Sequence, residues 1–207
     1  MITSIRQILS TNIFQALKNA VAPTAANPFA TIADISAAST NLFTQTASVT
    51  VTAGPSTLVG AGVGTASIPA NHFTATDRSV KIQGRGIITK SGTKALLIEV
   101  QLAGVNIIVA DFTSGQVATP TNCNFLITVY INCRTTGAGG TIFTQGECTI
   151  TDAGGGASLR TPGTTVFTNT ATSAINTTIA NTIDIRATWT GAGSGSLTLT
   201  NLLIYPE

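Results

Sequence analysis

Charged residues are scarce in this chain. Lys, Arg, Asp and Glu make up 9% of its 207 residues, whereas a soluble domain usually carries about 25%. The net charge is +2 and no block of Lys or Arg occurs, while nucleic-acid binders usually show a concentrated basic stripe. The composition therefore predicts no nucleic-acid partner. So few charged residues are not enough to keep an uncovered surface soluble. We therefore expect other protein subunits to cover much of the surface of this chain.

Long apolar runs are also missing. No run approaches the roughly 18 residues that a membrane-spanning helix needs, so the mean hydropathy of +0.36 does not indicate a membrane protein, and we expect no membrane partner. Residues 1–7 (MITSIRQ) contain no apolar h-region, so we expect no secretory signal.

Cysteine and histidine are too few for a metal or disulfide framework. The three cysteines are Cys123, Cys133 and Cys148; no CxxC pair occurs and His72 is the only histidine, so we expect no zinc and no cofactor. Cys123 and Cys133 are separated by about 33 Å on a straight strand. A turn near residue 138 would place Cys148 opposite a residue near Val129. All three thiols are predicted to be free and buried, as in a protein assembled in a reducing cytoplasm.

Candidate catalytic residues are equally sparse. His72 follows Pro69 in a predicted loop, and the sequence around it does not offer the set of partners that a catalytic triad or a zinc site needs. Glu99 and Glu147 are the one pair of carboxylates suited to glycoside hydrolysis, which requires them within about 10 Å of each other in a cleft. One Trp and two Tyr offer few stacking platforms for a sugar. We interpret the pair as solvated or interface carboxylates and predict that the chain is not an enzyme.

The first 45 residues are predicted to form a helix and an arm. Apolar residues recur at helical spacing over residues 4–20, Ser4 and Gln7 fit a capping box, and the helix should end before Pro23. Residues 11–12 are an alternative break between two shorter helices. Residues 22–45 are interpreted as an arm that leaves the main domain and packs on a neighbouring protein. The predicted anchor residues are Ile5, Ile8, Leu9, Phe14, Leu17, Phe29 and Ile32.

Residues 46–207 show the period of two that is typical of β-strands with one buried face. Val80, Ile82 and Ile88, for example, alternate with Lys81 and other polar residues. The pattern predicts strands at 47–53, 79–90, 94–102, 105–111, 124–134, 141–151, 164–171, 181–190 and 196–204.

Glycine clusters separate these strands, at residues 137–140, 154–156 and 191–195. They are interpreted as turns, because none has the GxxxxGK[ST] arrangement of a phosphate loop. Many strands with glycine-rich turns and no interleaved helices predict an all-β fold, a jelly-roll-like β-sandwich of about eight strands. The predicted domains are therefore 1–45, the helix and anchoring arm, and 46–207, the sandwich.

Three segments resemble virion proteins of tailed bacteriophages. Residues 27–35 (NPFATIADI) after a short helix resemble the N-terminal connector of many such proteins. Residues 137–151 resemble a hairpin of the same group, and residues 181–202 resemble the closing hairpin of its β-sandwiches. The resemblance implies a virion structural protein, commonly trimeric, with no catalytic residues to carry over.

The resemblance and the low charge together predict a bacteriophage capsid decoration or cement protein. Such a protein would form a homotrimer and would bind the major capsid protein or another virion protein. It would be assembled in the host cytoplasm and located on the capsid surface. Two alternatives stay open. One is a tail or head fibre that binds a host receptor, and the other is a polysaccharide-degrading enzyme that uses Glu99 and Glu147.

Overall fold

A computed structural model describes residues 41–112, 121–151, 163–168 and 172–207, which belong to one compact unit, Asn41–Glu207. Every regular element within these ranges is a β-strand. The same ranges contain no helix of the length and apolar character needed to cross a membrane. The predicted helix at 4–20 lies outside them, as does the arm as far as residue 40.

The chain forms fourteen strands in the described ranges. Nine of the segments overlap the nine predicted strands, although the strand predicted at 47–53 spans only residues 49–51. The other five segments are only two or three residues long. The strands are β1 (Phe43–Gln45), β2 (Val49–Val51), β3 (Ser56–Thr57), β4 (Gly62–Gly64), β5 (Ser67–Ile68), β6 (Ser79–Lys90), β7 (Ala95–Leu102), β8 (Val105–Asp111), β9 (Cys123–Thr135), β10 (Thr141–Thr151), β11 (Gly163–Thr168), β12 (Ser173–Ala174), β13 (Asn181–Thr190) and β14 (Gly195–Pro206).

The strands form two antiparallel sheets. The nine-stranded sheet has the order β11-β10-β9-β6-β14-β1-β4, with β12 paired to β10 and β2 paired to β14. The five-stranded sheet has the order β3-β13-β7-β8, with β5 also paired to β13. The prediction of an all-β sandwich is confirmed.

One apolar core fills the space between the sheets. In β6, β7 and β13 every second residue is buried, because successive side chains of a strand point to opposite faces. The predicted inward set of β6, which includes Val80, Ile82 and Ile88, is buried as expected. This regular alternation explains why these strands were predicted almost to the residue.

Trp189 connects the two sheets. It lies on β13 of the five-stranded sheet, is 5% exposed, and its Nε1 donates a hydrogen bond to the Val51 carbonyl of the nine-stranded sheet at 3.0 Å. Its ring covers Gly195 on β14, where an added Cβ would lie 2.6 Å from the ring. The prediction that Trp189 is buried is confirmed.

A second contact between the sheets involves small residues of β10. Thr144 is fully buried, and its Oγ1 donates to the Ile107 carbonyl of β8 at 2.7 Å. Two residues along, a Cβ on Gly146 would lie 2.7 Å from the Ile108 side chain. The edge of the five-stranded sheet therefore packs closely over the inner face of β10.

The closing segment differs from its predicted hairpin. Residues 181–202 contain β13 and most of β14, but β13 pairs in the five-stranded sheet and β14 in the nine-stranded sheet. The turn between them has positive φ at Gly191 and Gly193, where residues with a side chain are strained. It therefore carries the chain from one sheet to the other, whereas residues 137–151 do belong to a true β9–β10 hairpin.

The sandwich begins before the predicted boundary between residues 45 and 46. β1 (Phe43–Gln45) pairs with β14 and with β4, and Phe43 is 4% exposed. A strand this short shows no measurable period in the sequence, so the pattern alone does not separate these residues from the predicted arm. The described part of the domain starts at Asn41.

Candidate interaction surfaces

The predicted anchor residues lie outside the described residues. Ile5, Ile8, Leu9, Phe14, Leu17, Phe29 and Ile32 all fall within 1–40, so their role stays a prediction. The described residues do locate the other candidates and show which of them come together.

His72 lies in the connection between β5 and β6, as predicted, and its ring contacts Phe73 edge to face at 5.3 Å. Burial lowers the pKa of His72; a hydrogen bond to the Ser79 backbone opposes this shift, and the charge of Arg78 adds to it. Its Nε2 is buried without a hydrogen-bond partner among the described residues. The imidazole is therefore held neutral near pH 7.

The cysteines lie in the core as predicted. Cys123, Cys133 and Cys148 are each 1% exposed and none forms a disulfide. Burial raises the pKa of Cys133 and, much further, that of Cys148, which keeps both thiols protonated and weakly nucleophilic. Within the described ranges, no three His, Cys, Asp or Glu residues form a group that could hold a metal ion.

Glu99 and Glu147 lie on opposite outer surfaces of the sandwich. Glu99 is on β7 of the five-stranded sheet between the buried Ile98 and Val100. Glu147 is an exposed residue on β10 of the nine-stranded sheet, next to the buried Cys148. Packed sheets are about 10 Å apart, and both side chains point away from the space between them. The pair therefore does not form the cleft that glycoside hydrolysis requires.

Aromatic and cationic side chains converge on the outer side of the nine-stranded sheet. In the register of this sheet, Lys81 on β6 is opposite Tyr130 on β9 and Tyr205 on β14. Phe143 on β10 and Arg134 on β9 lie beside them, with the guanidinium 5.0 Å from the ring centroid. We call this surface the aromatic face; its defining residues are Lys81, Tyr130, Arg134, Phe143 and Tyr205.

Lys81 is at the centre of the aromatic face. Its Nζ lies 5.1 Å from the centroid of the Tyr130 ring and 5.5 Å from that of Tyr205. Glu207 Oε1 is 3.9 Å from the same nitrogen. Hydrogen bonds with the Tyr205 and Tyr130 side chains raise the pKa of Lys81. The cation thus lies between two rings and beside a carboxylate, and Tyr205, Lys81 and Tyr130 form a row that crosses three neighbouring strands.

No other described part of the surface holds aromatic residues in this way. Among the residues whose side chains are described, Tyr130, Phe143 and Tyr205 are the only Phe, Tyr or Trp residues that are not buried. Partly exposed Tyr, Phe and Arg are the residue types enriched in protein interfaces. This face is therefore the strongest candidate interaction surface of the domain.

A shallow depression of about 580 Å³ lies on the same side of the nine-stranded sheet. Ile87 and Leu126 contribute apolar side chains to it, and Arg85 and Asn124 contribute polar ones. A β-bulge in β14 opposite Arg85 allows Thr200 Oγ1 to donate to the Arg85 carbonyl at 3.0 Å. The depression extends the apolar part of this side of the sheet beyond the aromatic face.

The outer side of the five-stranded sheet has the opposite character. Glu99, Asp111 and Asp184 lie on it, and Arg186 is the one cation on the outer side of β7, β8 and β13. We call it the acidic face, defined by these four residues.

Hydrogen bonds fix the carboxylates of the acidic face. Gln101 Nε2 donates to Asn106 Oδ1 at 2.8 Å, and Asn106 Nδ2 donates to Glu99 Oε1 at 2.5 Å. Thr57 Oγ1 donates to Asp184 Oδ1 at 2.5 Å, and Arg186 lies 3.9 Å from the same carboxylate. The polar groups here are largely satisfied by one another.

Comparison of the sequence with family models and with curated proteins identifies no relative. No family model matches the chain, and no curated protein matches its sequence. The case for a function therefore depends on the chemistry of the two faces and on the resemblance of short segments.

Sequence reasoning missed the aromatic face. Lys81 and Tyr130 are far apart in the chain, and alternation predicts each of them only as an outward residue of its own strand. Tyr205 lies beyond the strand predicted at 196–204, and only the pairing of β9, β6 and β14 brings the three residues together.

Proposed function

We propose that this chain is a structural protein of a tailed-bacteriophage virion, a capsid decoration or cement protein that binds the assembled head as a homotrimer. The observation that carries the proposal is a charge-poor sandwich that exposes aromatic side chains on the outer side of its larger sheet. Such a surface suits a subunit whose faces are covered in an assembly. The resemblance of residues 27–35, 137–151 and 181–202 to virion proteins supports the same function.

The strand order is compatible with the proposed jelly-roll-like class. β6, the first long strand, pairs with β14, the last, and β7 pairs with β13, the second to last. Nested pairing of this kind is a feature of jelly rolls, whereas β9, β10 and β11 form a simple meander. The finer class stays a prediction.

The proposed mechanism is mechanical. A subunit that binds only the assembled head stabilises it by mass action, because its binding free energy is lost when the head opens. The sandwich would supply the covering surface, and the anchor residues of 1–40 would supply the attachment. Burying each large apolar side chain of the anchor contributes about 1.5–3 kcal/mol.

Virions with and without the protein provide the test. We expect virions that lack it to open at lower temperature or under milder osmotic shock, and purified full-length protein to restore their resistance. A chain that begins at Asn41 should fold, because β1 is intact, but should not bind the particles. Equal resistance of both kinds of virion would contradict the cement role.

The aromatic face favours a second candidate, a fibre or receptor-binding protein. Tyr130, Tyr205 and Phe143 offer rings on which a host glycan can stack. In that case virions without the protein should keep their resistance to heat but adsorb poorly to host cells. Virions carrying Tyr130→Ala should show the same adsorption defect.

A further inference from the structure

The apolar side chains that remain accessible on the nine-stranded sheet extend well beyond the aromatic face. Val63 on β4 is 70% exposed, and its Cα is opposite Thr44, which is in turn opposite Leu203 on β14. Ile87, 41% exposed, lies on β6. The accessible apolar surface thus reaches from the edge strand β4 across β14 and β6 to β10.

Charges of both signs lie on the same outer side. Arg85, Arg134 and Glu147 are all exposed there, and none of them forms an ion pair with another described residue. A surface whose cations and carboxylate have no ion-pair partner among the described residues is able to match a second copy of itself, because each sign finds its complement across a symmetry axis.

Pairing of this side with the acidic face of a second copy is disfavoured by geometry. The two outer surfaces point in opposite directions, so such contacts would repeat by translation and build an open filament. Copies that turn the same side toward a common axis form a closed assembly and leave no unsatisfied surface. The charges are therefore compatible with both arrangements, but only the arrangement around a common axis gives an assembly with a fixed number of copies.

We propose that the outer side of the nine-stranded sheet is the surface through which copies of this chain associate, with the row of Tyr205, Lys81 and Tyr130 at the centre of the contact. A rotation axis roughly parallel to the strands keeps this row at one height in every copy. The tyrosines then pack around the axis, and each Lys81 keeps its own neutralising carboxylate from Glu207. This inference stands whatever the assembled protein does.

The mass of the full-length protein in solution tests the proposal. Sedimentation velocity across the micromolar range should give a multiple of 21.0 kDa. The double variant Tyr130→Glu/Tyr205→Glu should dissociate to the monomer, with association weakened on the order of tenfold or more. A second variant, Val63→Glu/Ile87→Glu, changes only accessible side chains and should have the same effect without affecting the core.

The matched control places the same chemistry on the five-stranded sheet. Val105 and Val109 on β8 are 48% and 47% exposed, and Val105→Glu/Val109→Glu should leave the oligomer intact. Circular dichroism and the emission of Trp189 report whether each variant is folded. A monomeric wild type, an oligomer that persists in the folded Val63→Glu/Ile87→Glu variant, or an oligomer that the control disrupts would each overturn the proposal.

The tests of self-association and of the proposed cement role can give different results. An oligomer that forms through this surface but gives virions no resistance leaves the inference intact and refutes the cement role. A monomer that still protects virions would refute the inference and the homotrimer but would support the cement role. A folded wild-type monomer that binds a soluble host glycan through Tyr130 would assign the surface to the receptor-binding alternative and overturn self-association.

Discussion

The outer surfaces of the two sheets have different chemistry, although the same alternation of residues produces both. The five-stranded sheet presents carboxylates whose hydrogen-bond partners, such as Asn106 and Thr57, lie beside them. The nine-stranded sheet presents rings and cations, and it leaves Arg85, Arg134 and Glu147 without ion pairs among the described residues. A surface that satisfies its own polar groups needs no partner, whereas one with accessible rings and unpaired charges gains from being covered.

The largest expected effect on stability comes from removing the Trp189 side chain, which packs between the two sheets. Trp189→Ala removes the ring that covers Gly195 and the hydrogen bond to Val51. Because this leaves a cavity between the sheets, we expect the free energy of unfolding to fall by about 3–5 kcal/mol. Urea denaturation measures it, with Trp189→Phe as a control that should lose less. Native emission typical of a water-exposed indole would contradict the buried position.

Overpacking the same contact should have the next largest effect. A Cβ at Gly195 would lie 2.6 Å from the Trp189 ring, so Gly195→Ala should force the sheets apart locally and cost about 1–3 kcal/mol. Gly139→Ala is the matched control, because nothing lies within 4 Å of a Cβ there. Thermal unfolding should show a lower Tm for the first variant only. Equal Tm values would mean that the sheets adjust without strain.

A smaller effect tests how firmly the aromatic face is ordered. Lys81→Met removes a cation held between two rings, and we expect a loss of about 0.5–1 kcal/mol, the usual range for an accessible cation–π contact. Lys94→Met, at a turn where Lys94 has no ring contact with any described residue, should change stability by less than about 0.5 kcal/mol. Chemical denaturation of both variants gives the comparison. An equal decrease in the free energy of unfolding of both variants would show that the contacts of Lys81 with the two rings do not stabilise the protein.

The smallest effect concerns pH. Because burial lowers the pKa of His72 in the folded protein, the unfolded chain binds its proton first as the pH falls below about 6.5. Stability should therefore decrease as the pH is lowered through that value toward the folded pKa, and should not change through this group above it. His72→Gln should flatten this slope in denaturation curves at neutral and mildly acidic pH. An unchanged slope in the variant would contradict the assignment, since the chain has one histidine.

The long strands were predictable because each carries enough residues to show a period. β6 and β13 were predicted at their observed bounds, and the burial of Trp189 followed from its place in the alternation. The absence of a disulfide between Cys123 and Cys133 was predictable for a similar reason, since both lie on one extended strand. The sequence did not predict the short strands β1, β3, β4, β5 and β12. Two or three residues are too few to show a period, and such strands form only because a neighbouring strand pairs with them.

The division between sequence and tertiary structure follows the range of the interactions involved. Side-chain alternation is local, so the sequence by itself determined which segments form the long strands, which side of each of these strands is buried, and that charge is scarce over the whole chain. Which strands are neighbours depends on contacts between distant segments. Only the tertiary structure therefore decided that β13 and β14 lie in different sheets, that Glu99 and Glu147 point in opposite directions, and that Lys81 lies between Tyr130 and Tyr205.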